Sequence, residues 1–131
     1  MQGMTPFNLV KFHLTAPSSA KAFVSGHSGG TTEIRNMLEW SQSAIRNRSL
    51  VLAIAPSAIV SNMLCYKSFN YASNDDLVPK FAAKMTPELA HQLIHLKPHP
   101  SASKWNDHEW DSPTYQPQIR ADINHYMRAT Y

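Results

Sequence analysis

Two patterns of apolar positions follow one another in the first half of the chain. Lys21 to Ser25 forms a short apolar run that ends in the glycine-rich stretch "GHSGG", which is typical of a strand entering a turn. From Thr31 onward apolar residues recur at helical spacing, at Ile34, Met37, Leu38 and Ile45. We therefore expect a strand and then a helix, with Thr31 or Thr32 as its N-cap and Glu33 in its first turn.

The next apolar runs are continuous rather than alternating. The stretch "SLVLAIAP" contains almost no polar residue before Pro56, as expected for a strand that is buried on both faces of a parallel sheet. The stretch "CYKSFNYAS" is rich in residues that favour strands and leads into "SNDD". The stretch "TPELAHQLIHLKPHP" fits two structures equally well, a helix that begins at Thr86 and Pro87 or a short strand within "HQLIHLKP".

A last amphipathic helix is predicted near the end of the chain, from apolar residues at Ile119, Ile123, Tyr126 and Met127. Near the start, Phe7 to Leu14 is apolar and favours a strand. The order of elements predicts one α/β domain over residues 1–131, a three-layer sandwich with a mostly parallel sheet of about four or five strands and helices on both faces. Met1 to Gly3 can be a cloning remnant and does not enter this prediction.

Composition excludes several classes of protein. The 12 lysines and arginines outnumber the 9 acidic residues without forming a cationic run or an aromatic platform, which argues against nucleic-acid binding. Apolar stretches stay short of the roughly 20 residues that a membrane-spanning helix needs. Cys65 is the only cysteine, so no intrachain disulfide can form. Together with the lack of a secretory leader, this predicts a cytoplasmic location.

Residues 26–30, "GHSGG", match the G-x-S-x-G pattern of a nucleophile elbow. In that motif a serine occupies a tight turn from strand to helix, and glycines flank it because side chains there would strike the neighbouring strand and helix. The setting predicted above, a strand before and a helix after, is the one this motif requires. The alternative is a glycine-rich turn in which Ser28 only precedes the next helix.

Two later stretches extend the pattern. "NYASNDDLVP" resembles the acid-bearing loop of α/β-hydrolases, with Asp76 a better match than Asp75, and "WNDHEWDSPTY" resembles their histidine loop, with His108 in the matching place. The order Ser28, Asp76, His108 is the α/β-hydrolase order. Residues 20–131 thus resemble the C-terminal half of an α/β-hydrolase domain. Several of these stretches are also similar to hydrolase-like proteins of intracellular bacteria, a likeness that implies no substrate.

The resemblance implies a serine hydrolase of esterase or lipase type that acts on a small acyl ester without a cofactor. Ser28 would be the nucleophile, His108 its base, and Asp76 the residue that orients the imidazole. The backbone N–H of Gly29 would donate to the oxyanion. In the family a second donor comes from a loop after an earlier strand, but only 27 residues precede Ser28 here. We expect Phe7 to Leu14, or a second copy of the chain in a homodimer, to cover the sheet edge.

Other interpretations remain open at this stage. The chain can be a non-catalytic interaction module that keeps the same fold, and Asp75, Asp76 and His108 can be ordinary loop residues. His91, His95 and His99 fall at four-residue spacing, and the first two would share a helix face and could bind zinc, although Pro98 prevents such a helix from reaching His99. Glycines and hydroxyls in "SGHSGGTT" could also bind phosphate, but the P-loop lysine is missing.

Two smaller expectations concern aromatic residues and one further histidine. The tryptophans are expected to pack in the core or in loops, at Trp40, Trp105 and Trp110. His27 is expected only to be the bulky residue that the motif tolerates between its first glycine and its serine. The alternative for Trp105 and Trp110 is that they line an acyl pocket.

Overall fold

The computed structural model describes residues 15–17, 20–103 and 107–128. Within these ranges four strands form one sheet: β1 (Ala22–His27), β2 (Ser49–Ile54), β3 (Lys67–Ser73) and β4 (Leu93–Leu96). The helices are α1 (Gly29–Trp40), α2 (Ser43–Arg46), α3 (Leu77–Met85) and α4 (Gln116–Arg128). Two 3₁₀ segments span Asn62–Leu64 and Pro87–Gln92.

All neighbouring strands of the sheet are parallel and lie in the order β1-β2-β3-β4. Because each connection moves one strand in the same direction and parallel crossovers are right-handed, the intervening helices fall on one face. α1 and α3 pack there, and α4 returns across the opposite face. The predicted α/β sandwich with a parallel sheet and helices on both faces is therefore confirmed.

The core lies on both faces of β2, all six residues of which are buried. On one face α1 contributes Ile34 and Leu38, which pack with Val51 of β2. On the other face Leu52 and Ile54 pack with Tyr115 and with Ile119 of α4. The continuous apolar pattern of "SLVLAIAP" thus correctly predicted a central strand covered on both sides.

The first helix begins earlier than the sequence predicts. α1 starts at Gly29 with Ser28 in the N-cap position, so Thr31 and Thr32 lie inside the helix and Glu33 lies beyond its first turn. The predicted cap is therefore wrong, because the Thr31 hydroxyl donates back to the Ser28 carbonyl (2.7 Å) instead of accepting from a helical N–H. α1 also ends at Trp40, and the later apolar residue of the pattern belongs to the separate helix α2.

Of the two structures proposed for residues 86–100, the strand is correct for residues 93–96. Pro87 to Gln92 forms a 3₁₀ segment, and Leu93 to Leu96 then pairs with β3 as strand β4. The packing prediction for Trp40 is wrong, since its side chain is 90% exposed. Trp105 and the predicted strand at Phe7 to Leu14 lie outside the described residues. In the part of the chain that is described, no helix combines the length and the apolar character needed to cross a bilayer.

Candidate active site

Ser28 occupies a strained turn between β1 and α1. Its backbone angles, φ 53° and ψ −119°, lie in a region that residues with side chains rarely adopt. Such a conformation costs about 1–3 kcal/mol and persists only where the surroundings hold it in place. The turn projects from the carboxyl end of β1, where binding sites of parallel sheets commonly form.

Hydrogen bonds on both sides hold this turn. The Ser28 N–H donates to the Ile54 carbonyl of β2 (3.0 Å), and the Ser28 carbonyl accepts from the Thr31 hydroxyl (2.7 Å) and from the Ser57 hydroxyl (2.8 Å). Thr31 is fully buried, and its Oγ1 also accepts from the backbone N–H groups of Ser57 (3.0 Å) and Ala58 (3.2 Å). The loop after β2 is therefore hydrogen-bonded to the turn, and these hydrogen bonds stabilise the strained backbone conformation of Ser28.

The two glycines of the motif have different environments. A Cβ at Gly26 would lie 2.6 Å from Ile34 Cδ1 and 3.2 Å from the backbone carbonyl of Gly30. A Cβ at Gly30 would meet nothing within 4 Å. The steric argument from the motif is correct for Gly26 and wrong for Gly30, because residue 30 sits in the open first turn of α1.

We expect opposite effects on stability from alanine at these two positions. Gly26→Ala overpacks the contact between β1 and α1 and should lower the free energy of unfolding by about 1–2 kcal/mol. Gly30→Ala is the matched control, and it should raise that free energy by about 0.5 kcal/mol because alanine favours the helix. Urea unfolding followed by circular dichroism measures both values. Equal losses in the two variants would contradict this account.

The structure brings the three residues singled out from the sequence into one hydrogen-bonded chain. His108 Nε2 lies 2.8 Å from Ser28 Oγ, across 80 positions of sequence. On the other side of the ring, His108 Nδ1 lies 2.9 Å from Asp76 Oδ2 and 3.0 Å from Oδ1. Because an ionised carboxylate only accepts, Nδ1 carries the proton and Nε2 is left to accept from the serine hydroxyl. This is the tautomer that a general base requires.

Asp76 is fully buried and serves two elements at once. Its Oδ1 accepts from the Val78 N–H (3.0 Å) and caps α3, while its Oδ2 accepts from the Tyr115 hydroxyl (3.1 Å). Burial raises the pKa of Tyr115, so the phenol stays protonated and remains a donor. The neighbouring Asp75 is bonded through its N–H to the Ser73 hydroxyl (3.3 Å). Asp76 is thus the carboxylate that holds His108.

A second buried carboxylate supports the loop that carries His108. Asp107 is 1% exposed and accepts from the hydroxyls of Ser73 (2.6 Å), Thr114 (2.5 Å) and Ser112. These donors come from the end of β3 and from the turn before α4, so Asp107 fastens the histidine loop to both. The sequence showed this carboxylate only as a neighbour of His108, and it gave no sign of the three hydroxyls around it.

His27 also contacts the histidine loop. Its Nε2 lies 2.5 Å from the His108 carbonyl oxygen, and the two imidazole rings have centroids 4.9 Å apart at an angle of 44°. Sequence reasoning treated His27 only as a tolerated bulky residue. The one signal that could have singled it out is its position next to Ser28.

The proposed oxyanion donor lies at the start of α1. Gly29 is the first residue of that helix, so its N–H has no acceptor within the helix and lies at the positive end of the helix dipole. The second donor implied by the resemblance would come from a segment before the elbow. Residues 1–14 of that segment lie outside the described residues.

The rival arrangement of histidines does not form. His91 lies in the 3₁₀ segment and His95 in β4, so they do not share a helix face. His99 Nδ1 instead accepts from the backbone N–H of Ser101 (3.1 Å). In residues 15–17, 20–103 and 107–128, no group of three or more histidine, cysteine or acidic side chains is placed to bind a metal ion.

Comparisons of the chain with models of protein families, with curated proteins and with solved structures found no match.

Proposed function

We propose that this protein is a serine hydrolase of esterase or lipase type, related to the α/β-hydrolases, that transfers the acyl group of a small ester to water. The observation that carries the proposal is the continuous path from Ser28 Oγ through both nitrogens of His108 to Asp76, with contacts of 2.8 and 2.9 Å. Nucleophile, base and orienting group within hydrogen-bond reach are the signature of an activated serine.

In the proposed reaction the Ser28 hydroxyl proton moves to His108 Nε2 as Oγ attacks the ester carbonyl carbon. The Gly29 N–H donates to the oxyanion of the tetrahedral intermediate. The intermediate collapses as the bond to the alcohol oxygen breaks, and that oxygen takes the proton from Nε2. Water then attacks the acyl-serine by the same route, releasing the acid and restoring Ser28. Throughout, Asp76 stays ionised and stabilises the imidazolium.

Two further observations support a catalytic role over a non-catalytic module. Backbone strain of the kind seen at Ser28 clusters at functional sites, where it exposes a reactive group. Asp76 is a carboxylate buried against a histidine that is itself 16% exposed, so the base keeps access to solvent while its partner does not. A module that only binds a partner has no need of either feature.

Cys65 does not compete as a nucleophile. Its thiol is buried, and burial raises the pKa to about 11, so it stays in the unreactive protonated form near neutral pH.

Two further parts of the proposal concern location and assembly. A single reduced cysteine agrees with the cytoplasmic location that we propose. Association of two copies through the sheet edge remains a prediction, for which the mass in solution is the test.

Hydrolysis of p-nitrophenyl acetate tests the proposed function. Ser28→Ala removes the attacking oxygen and should lower the rate by about 10⁴-fold or more. Ser43→Ala is the matched control, because Ser43 is an exposed serine on α2, and it should leave the rate unchanged. Absence of hydrolysis by the wild type for acetate, butyrate and octanoate esters alike, or an active Ser28→Ala variant, would contradict the proposal.

A further inference from the structure

His27 connects the strand that carries the nucleophile to the loop that carries the base. It is the last residue of β1 and immediately precedes Ser28. Its contact reaches the backbone of His108, 81 positions away in sequence. Since a carbonyl oxygen can only accept, His27 Nε2 carries a proton and donates it to the His108 oxygen over 2.5 Å.

The contact closes a short ring of bonds around the reacting atoms. Ser28 Oγ meets the side chain of His108, and the adjacent His27 meets the backbone of the same residue. His108 is therefore fixed at three places, namely its carbonyl oxygen, its Nδ1 and its Nε2. A shift of the histidine loop relative to the elbow would break the His27 bond together with the Ser28 bond.

The two imidazoles also touch. Their centroids are 4.9 Å apart and their planes are tilted by 44°, so the His27 ring limits rotation of the His108 ring on that side. Asp107 also fixes this loop through hydroxyl groups, but those hydroxyls belong to β3 and to the turn before α4. Of the two residues that hold this loop, His27 is the one that bonds it directly to the turn that carries Ser28.

We propose that His27 is a positioning residue that sets the distance between the His108 imidazole and the Ser28 hydroxyl by holding the His108 carbonyl. The inference rests on the proposed hydrolase function for its effect on rate, but not for its effect on the loop. In this inference His27 takes no part in proton transfer, because its Nε2 proton is donated to a carbonyl oxygen and a carbonyl oxygen can only accept.

Two variants separate the hydrogen bond from the ring. His27→Phe keeps an aromatic ring and removes the donor, whereas His27→Gln places an amide N–H near the position of Nε2. Because displacement of a catalytic group by about 1 Å can cost 10²-fold, we expect His27→Phe to lower kcat for p-nitrophenyl acetate by about 10- to 100-fold with KM changed less than about twofold. His27→Gln should recover kcat to within about threefold of wild type. His91→Phe, the same change at an exposed histidine, is the matched control.

The pH profile distinguishes positioning from proton transfer. The acidic limb of kcat/KM reports protonation of the base in the free enzyme. Asp76 still bonds to His108 in His27→Phe. The acidic limb of its kcat/KM profile should therefore keep the wild-type midpoint pH, while the maximal value of kcat/KM falls. A displaced midpoint, or His27→Gln as slow as His27→Phe, would overturn the positioning role.

Hydrogen exchange followed by mass spectrometry gives a readout that does not depend on activity. In His27→Phe the amides of residues 107–112 should exchange about tenfold faster than in wild type, and in His27→Gln they should not, as expected from loss of one hydrogen bond. If the wild type proves inactive, the proposed function fails, and exchange still decides whether His27 holds the loop. Unchanged exchange in His27→Phe would overturn the inference whatever the activity.

Discussion

Replacing Asp76 by asparagine is expected to lower kcat for ester hydrolysis by about 10⁴-fold. The Asp76 carboxylate accepts from His108 Nδ1–H, which in the proposed mechanism leaves Nε2 free to take the proton of Ser28. An asparagine amide can present an N–H to Nδ1 and place the imidazole proton on Nε2, where it blocks that transfer. It also lacks the negative charge that stabilises the imidazolium.

The Asp76→Asn variant isolates this effect well, because asparagine caps helices about as well as aspartate and should preserve the start of α3. Asp75→Asn is the matched control one residue earlier, and it should keep activity within about twofold of wild type, since the bond from Asp75 to Ser73 is made by its backbone N–H, which asparagine keeps. Steady-state kinetics and the unfolding midpoint should be measured for both variants. An Asp76→Asn variant that retains a third of the wild-type kcat, or an equal loss in Asp75→Asn, would contradict the assignment.

Removing the Asp107 side chain is expected to lower the free energy of unfolding by about 3 kcal/mol. Asp107→Ala deletes the common acceptor of three buried hydroxyls, those of Ser73, Ser112 and Thr114, and leaves them without that partner. The loss exceeds that of an ordinary surface carboxylate because hydrogen bonds to a buried charge are among the stronger ones.

Asp111→Ala provides the comparison for Asp107→Ala, because Asp111 lies on the same loop and is exposed. Guanidinium unfolding should place this control within about 0.5 kcal/mol of wild type. Ester hydrolysis by Asp107→Ala should become slower as well, since Asp107 is next to His108, the proposed base, and fixes its loop. Wild-type stability in Asp107→Ala would show that the hydroxyls do not depend on this carboxylate.

Much of the fold follows from local pattern. The continuous apolar run of "SLVLAIAP" predicted the buried strand β2, and the change from strand pattern to helical spacing after "GHSGG" predicted β1 followed by α1. Parallel pairing then followed from burial of both faces of β2. These features can be predicted because the spacing of apolar residues along the chain reflects both the type of element and the faces that it buries.

The helix boundary and the glycine contacts depend on spatial neighbours that the sequence does not show. α1 begins at Gly29 because the turn is bonded to the loop after β2 through Thr31 and Ser57. Gly26 is crowded by Ile34 of α1, whereas Gly30 is not crowded. Motif letters cannot distinguish the two glycines, because the distinction arises only when the helix packs on the strand.

The supporting residues of the candidate site are the hardest to predict. His27 and Asp107 act on the histidine loop through contacts that span 81 and 34 positions, from His27 to His108 and from Ser73 to Asp107. The residues next to His27 and Asp107 in the sequence do not indicate these partners. Ser28, Asp76 and His108 could be singled out because they match ordered motifs, but their supports could be identified only from the folded chain.

Mapping the covalent adduct of a fluorophosphonate tests the central claim most directly. If Ser28 and His108 act as a unit, Oγ attacks phosphorus, fluoride leaves, and the hydroxyl proton passes to His108 Nε2. Peptide mass spectrometry of the treated wild type should then find one phosphonyl group, on Ser28, and His108→Ala should lose it although Ser28 is still present. An adduct on another residue, or equally fast labelling of Ser28 in His108→Ala, would contradict the account.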